Sequence, residues 1–106
     1  MSQNKTDYIL LIEQLERATR KGQTSWIAKT IRNLKFKEIP REYRFTLAEI
    51  ARRIDEPLLS LKLMNPVIRS SQPLVNRPSS EEQIVYATSL ITAGFFQDAQ
   101  KILSKL

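Results

Sequence analysis

Three arginines are the side chains in this sequence best suited to chemistry. Arg20, Arg52 and Arg53 could form a fork for a carboxylate or an acidic peptide, because guanidinium groups make bidentate, charge-assisted hydrogen bonds. Glu16 and Glu49 stand about one helical turn before them and could instead neutralise them on a solvated face. A second cationic stretch, RNLKFKEIPREYR, carries Arg32, Lys35, Lys37, Arg41 and Arg44 with Phe36 and Tyr43 between them. Such a mixture could meet phosphates and stack a base. Glu38 and Glu42 dilute its charge, however, and the aromatics could equally plug a seam between helices with the cations at the surface. Trp26 is expected in the core rather than at a contact.

The remaining chemistry is defined by what is missing. The chain has 0 His and 0 Cys, which removes imidazole and thiolate catalysis, zinc sites built on those ligands, and disulfides. Its 11 carboxylates include no convergent acidic pair, no Gly-rich phosphate loop is present, and Glu81-Glu82 is explained by capping at a helix start. A non-catalytic protein without metal or cofactor is expected. Lys and Arg number 17, leaving a formal charge of +6 that would draw acidic partners, peptide before nucleic acid. The opening MSQNKTDY lacks a signal-peptide pattern. The early apolar run Ile9 to Ile12 is far short of the roughly 20 residues that span a bilayer, so a cytoplasmic protein away from membranes is expected.

The elements that must position these residues are helices. Hydrophobic residues at 42% and charged residues at 26% describe one ordinary globular domain, and the 2 glycines and 5 prolines leave long helix-forming stretches. Tyr8, Leu11, Ile12, Leu15 and Ala18 share a helical face that Gly22 closes. Thr24 or Ser25 can cap a second helix bearing Trp26, Ile27, Ile31 and Leu34. Pro40 suits the first turn of a third, with Tyr43, Leu47, Ile50, Ala51 and Ile54 on its stripe. Asp55 tolerates a left-handed turn, and Pro57 opens a short fourth helix that Asn65-Pro66 stops. RSSQPLVNRPSS follows as a loop. Ser79 with Glu82 forms a capping box for a fifth helix carrying Ile84, Ala87, Leu90 and Ile91. Past Gly94, Phe95, Phe96, Ala99, Ile102, Leu103 and Leu106 mark a sixth.

These six helices form three hairpins, about 5–36, 40–65 and 79–106, with a loop at 66–78. Their turn residues Gly22, Asp55 and Gly94 stand 33 and 39 residues apart. Without the proline-rich insert, both intervals approach the period of about 34 residues found in tetratricopeptide repeats. The third hairpin carries that pattern best, with Tyr86-Ala87 before Leu90, then Gly94, Phe96, Ala99 and Leu103. The second matches through Leu47-Ala48, Ala51, Asp55, Pro57, Ser60 and Met64, with Pro57 in place of the aromatic. The first offers Ala18, Gly22, Ile27, Ile31 and Leu34, with Leu15 where a small residue is usual. The chain therefore resembles a tetratricopeptide-repeat protein over about 95 residues. The resemblance implies an all-α, short right-handed solenoid that binds a protein or peptide on the surface lined by the first helix of each hairpin. Carried over residue by residue, that surface would hold Ile9, Ile12, Glu16, Thr19 and Arg20, then Glu42, Phe45, Glu49, Arg52 and Arg53, then Glu81, Ile84, Thr88, Ile91 and Thr92. The strongest binding candidates are Arg20, Phe45, Glu49, Arg52, Arg53 and Thr88. The Lys and Asn set by which some members clamp peptide carboxylates is not reproduced.

TLAEIARRID also resembles the first helix of a helix-turn-helix, which would imply a small basic nucleic-acid binder using Arg52, Arg53 and the basic connector. Asp55-Glu56 would then bring two acids to the phosphates. PLLSLKLM would offer a duplex only Ser60 and Lys62 among Leu58, Leu59, Leu61, Leu63 and Met64, which favours a buried helix. At the other end, Phe95, Ile102 and Leu106 suggest an uncapped edge, implying self-association through the last helix or a longer repeat protein.

Overall fold

The helices follow the apolar spacing closely. In a computed structural model that describes residues 5–69 and 77–106, the chain forms α1 (Lys5–Arg20), α2 (Thr24–Arg32), α3 (Arg41–Arg53), α4 (Pro57–Ile68), α5 (Ser80–Ala93) and α6 (Phe96–Leu103). A 3-10 turn, Phe36–Glu38, links α2 to α3, and no strand occurs among the described residues. Most of the proline-rich loop, residues 70–76, lies outside the described residues. The fold is all-helical and measures 35 × 29 × 18 Å.

Three turns with one backbone design make the hairpins. Gly22, Asp55 and Gly94 have φ of 72°, 64° and 93°, the left-handed conformation that ends a helix. The N–H of the next residue bonds back five places in each case: Gln23 to Ala18 O at 3.0 Å, Glu56 to Ala51 O at 2.9 Å, and Phe95 to Leu90 O at 2.8 Å. The left-handed residue bonds back three places, to Thr19, Arg52 and Ile91 carbonyls at 3.1, 3.0 and 3.0 Å. These paired bonds are the Schellman closure, which satisfies carbonyls a helix end would leave bare. The same residue then starts the following helix, since Gln23, Glu56 and Phe95 carbonyls accept from Ile27, Ser60 and Ala99 N–H, all at 3.1 Å. Gln23 therefore occupies the cap position of α2, with no side-chain cap, and Thr24 is already helical. Pro40 likewise sits at the cap of α3, one place before its expected position, in an extended conformation (φ −61°, ψ 145°).

Packing is sequential. α4 lies against α3 on one side and α5 on the other, α6 closes on α5, and α1 contacts both α2 and α3; α3 also touches α2 and α5. Leu15, Ile27, Ile31, Leu47, Ala48, Ala51, Leu63, Met64 and Ala87 are fully enclosed in the core. Small Ala48 and Ala87 let backbones approach while the long side chains fill the seams. Two sequence expectations are corrected. α4 runs through Pro66 to Ile68, because a proline one turn from a helix end forfeits a single bond, and Arg69 N–H still reaches Asn65 O at 2.9 Å. Trp26 is 46% exposed, since Ile27, Ala28 and Ile31 take the inward side of α2 and Trp26 falls about 100° away from Ile27.

Candidate binding face

The first helices of the three hairpins carry side chains at positions that correspond in sequence. Counted back from the left-handed residue of each turn, Ile12, Phe45 and Ile84 are equivalent, as are Glu16, Glu49 and Thr88, and Thr19, Arg52 and Ile91. None of these nine side chains is fully buried, although their helices contact one another in the order α1, α3, α5. Phe45, Glu49, Arg52 and Thr88 are half-buried. One corresponding set, Ile12, Phe45 and Ile84, is apolar, and another, Glu16, Glu49 and Thr88, is polar.

A charged cluster sits on α3. Glu49 lies between two arginines: Arg52 donates to its carboxylate through Nε at 3.4 Å and Nη2 at 3.2 Å, and Arg53 approaches at 3.7 Å. One carboxylate against two guanidiniums leaves a net positive charge. The expected Glu49 pairing is thus present, while Arg20 sits exposed on α1 with no ion pair among the described residues, to Glu16 or otherwise. Thr88 is half-buried, and its carbonyl accepts from the Thr92 hydroxyl at 3.0 Å.

The basic connector has a structural character that the sequence did not reveal. Arg44 is buried and donates to Ile39 O at 3.1 Å, to Leu63 O at 2.9 Å and to Phe36 O, joining the connector and α4 to α3. Burial lowers its pKa, an effect that nearby Tyr8 partly opposes. Arg32 pairs with Glu56 at 2.8 Å, and Arg41 reaches Glu82 and the Arg77 carbonyl, both at 3.1 Å. Tyr43 stacks on buried Tyr8, ring centroids 5.4 Å apart and planes 11° from parallel. Phe36 is half-buried with Lys62 Nζ 4.4 Å from its ring centre. The aromatics thus occupy the seam between the first two hairpins, and Lys35 and Lys37 remain as exposed cations of this stretch without an ion pair among the described residues.

α4 presents little polar surface of its own. Ser60 is buried and shares a 2.8 Å hydrogen bond with Ser89 of α5. Because the Ser89 hydroxyl also donates to Val85 O at 2.9 Å, Ser60 must be the donor between the two. Leu59, Leu61, Leu63 and Met64 are buried, and Leu58 is exposed. At the far edge, Phe95 and Leu106 are exposed as expected, whereas Ile102 turns inward against the core; Phe96 and Leu103 supply the rest of the exposed apolar surface.

Among the described residues, no group of three acidic side chains gathers where it could hold a metal ion. No described helix is long and apolar enough to cross a membrane. Comparison with protein-family models, curated proteins and solved structures gives no match.

Proposed function

We propose that the protein is a non-catalytic interaction module whose three hairpins stack as a short right-handed, tetratricopeptide-like solenoid, and that it binds a protein segment along the face of α1, α3 and α5. The observation that carries this reading is the threefold recurrence of one turn, at Gly22, Asp55 and Gly94, the regularity expected of repeated hairpins. Repeated hairpins of this kind bind along the surface their first helices share. The apolar row Ile12, Phe45 and Ile84 would seat aliphatic or aromatic side chains. Arg20 and the cationic excess around Glu49 would select an acidic segment.

We rank a nucleic-acid reading second. A recognition helix must offer polar side chains to base edges, but α4 is held between α3 and α5 with its one serine buried. Three of the five connector cations are engaged within the molecule. Selection from a random-peptide display library tests the proposal. Enriched peptides should combine acidic with apolar residues, and their binding should fall at least about tenfold in Arg52→Glu/Arg53→Glu. Enrichment without acidic residues, or binding indifferent to that double substitution, would contradict it.

A further inference from the structure

The groove between α5 and α6 reproduces a surface that the first two hairpins bury. Counted forward from the left-handed turn residue, Ile31 of α2 and Met64 of α4 correspond to Leu103 of α6. Ile31 and Met64 are 0% exposed, with α2 packed on α3 and α4 on α5, but Leu103 is 42% exposed. Val67 and Leu106 differ in the same way, buried in one hairpin and open in the other. The groove is floored by buried Ala99 and edged by Ile91, Phe96, Gln100, Leu103 and Ser104, none of which is charged. Phe96, 65% exposed, stands on its rim.

The opposite edge of the molecule has another character. The α3 residues Leu47 and Ile50 and the cap residue Ile54, which face inward, correspond to Gln14 and Arg17 of α1 and to Lys21 just past it, all exposed; Tyr43, stacked on Tyr8, corresponds to Leu10, also exposed. Seating this edge in the α5–α6 groove of another copy would bury two charges against Phe96 and Leu103 without partners, a costly arrangement. Head-to-tail stacking is therefore disfavoured, while the uncharged groove, with a projecting phenyl ring beside a hollow floored by alanine, is complementary to itself. We infer that the α5–α6 groove seats a second copy of the chain about a twofold axis, Phe96 of each copy entering the hollow over Ala99 of the other.

The available area is sufficient. The exposed parts of Ile91, Phe96, Leu103 and Leu106 provide about 400 Å² of apolar surface. Interfaces between identical subunits are roughly 65% apolar, so this corresponds to about 600 Å² per copy, the lower end of specific interfaces. The groove overlaps the peptide-binding face only at Ile91.

Sedimentation equilibrium from low to high micromolar concentration tests it. The wild-type chain should approach twice its 12.3 kDa mass. Gln100→Arg, a change at an exposed position that sets like charges against each other across the axis, should weaken association at least about tenfold, whereas Gln14→Arg on the other edge should leave it unchanged. Because the chain has 0 Cys, Gln100→Cys provides a second reading: mild oxidation should convert it to a disulfide-linked dimer far faster than Gln14→Cys. A wild-type monomer at high micromolar concentration, mass that grows without limit, or a dimer weakened by Gln14→Arg and spared by Gln100→Arg would each overturn the inference.

Discussion

Arg44 joins three carbonyl oxygens from separate parts of the chain, so its loss strands acceptors contributed by Ile39, Phe36 and Leu63 together. An ammonium group offers three donors from one point, whereas the guanidinium fork spreads its donors over a plane wide enough to reach all three oxygens. Arg44→Lys is therefore expected to rescue little of the roughly 3 kcal/mol that Arg44→Ala should cost in chemical denaturation; a lysine variant as stable as the wild type would refute this role. In the sequence Arg44 counted among surface cations, although its spacing pointed inward. Arg44 precedes Leu47, Ala48 and Ala51 by three, four and seven residues, the spacing of a core-facing row. Its acceptors were not legible, because Leu63 lies 19 residues away and becomes a neighbour only when α4 folds onto α3. Trp26 illustrates the reverse: a large aromatic ring beside a buried row suggests core, yet its exposure depends on what packs next to α2.

At the scale of elements, the turns were read correctly from residue type because glycine and aspartate are among the few residues that accept positive φ at low cost. The structure adds that all three turns are one device, which yields a paired expectation. Asp55→Gly should stabilise the fold by about 0.5 kcal/mol, while Gly22→Ala and Gly94→Ala should each destabilise it by about 1 kcal/mol through backbone strain, since a Cβ at either glycine meets nothing within 4 Å. Thermal melts showing all three variants shifted alike would rule out the shared geometry. The start of α5 is similarly explicit. Ser79 Oγ accepts from Glu82 N–H at 3.1 Å and the Glu82 carboxylate accepts from Ser79 N–H at 2.8 Å. Burial pushes the Glu82 carboxyl up, but the Ser79 N–H and Arg41 outweigh it and hold the group below its usual 4.5. A depressed carboxylate contributes stability above its unfolded-state pKa and loses it as pH falls through the folded value. Glu82→Gln should accordingly be less stable than the wild type by about 1 kcal/mol near neutral pH, with the gap narrowing below about pH 4; a gap constant between pH 7 and pH 3 would contradict this. The persistence of α4 through Pro66 was not legible from the Asn65-Pro66 pair, because a proline near a helix end can stop the helix or merely forfeit one bond, and residue type alone does not separate the two.

For the molecule as a whole, hairpin order followed from apolar periodicity and punctuation, and the candidate face followed from placing equivalent residues on successive first helices. Charge alone could not establish what that face binds, since a formal +6 is compatible with peptide or nucleic acid; the structure adds that Arg32, Arg41 and Arg44 are engaged internally. The most direct test is a side-by-side anisotropy titration, in about 0.15 M salt, of a display-selected acidic peptide and a random-sequence duplex against the wild type and Arg52→Glu/Arg53→Glu. The proposed function predicts saturable peptide binding that the double substitution weakens at least about tenfold, with no duplex binding at comparable concentrations. Micromolar duplex binding with a steep salt dependence, lost in the same variant while the peptide stays unbound, would contradict it.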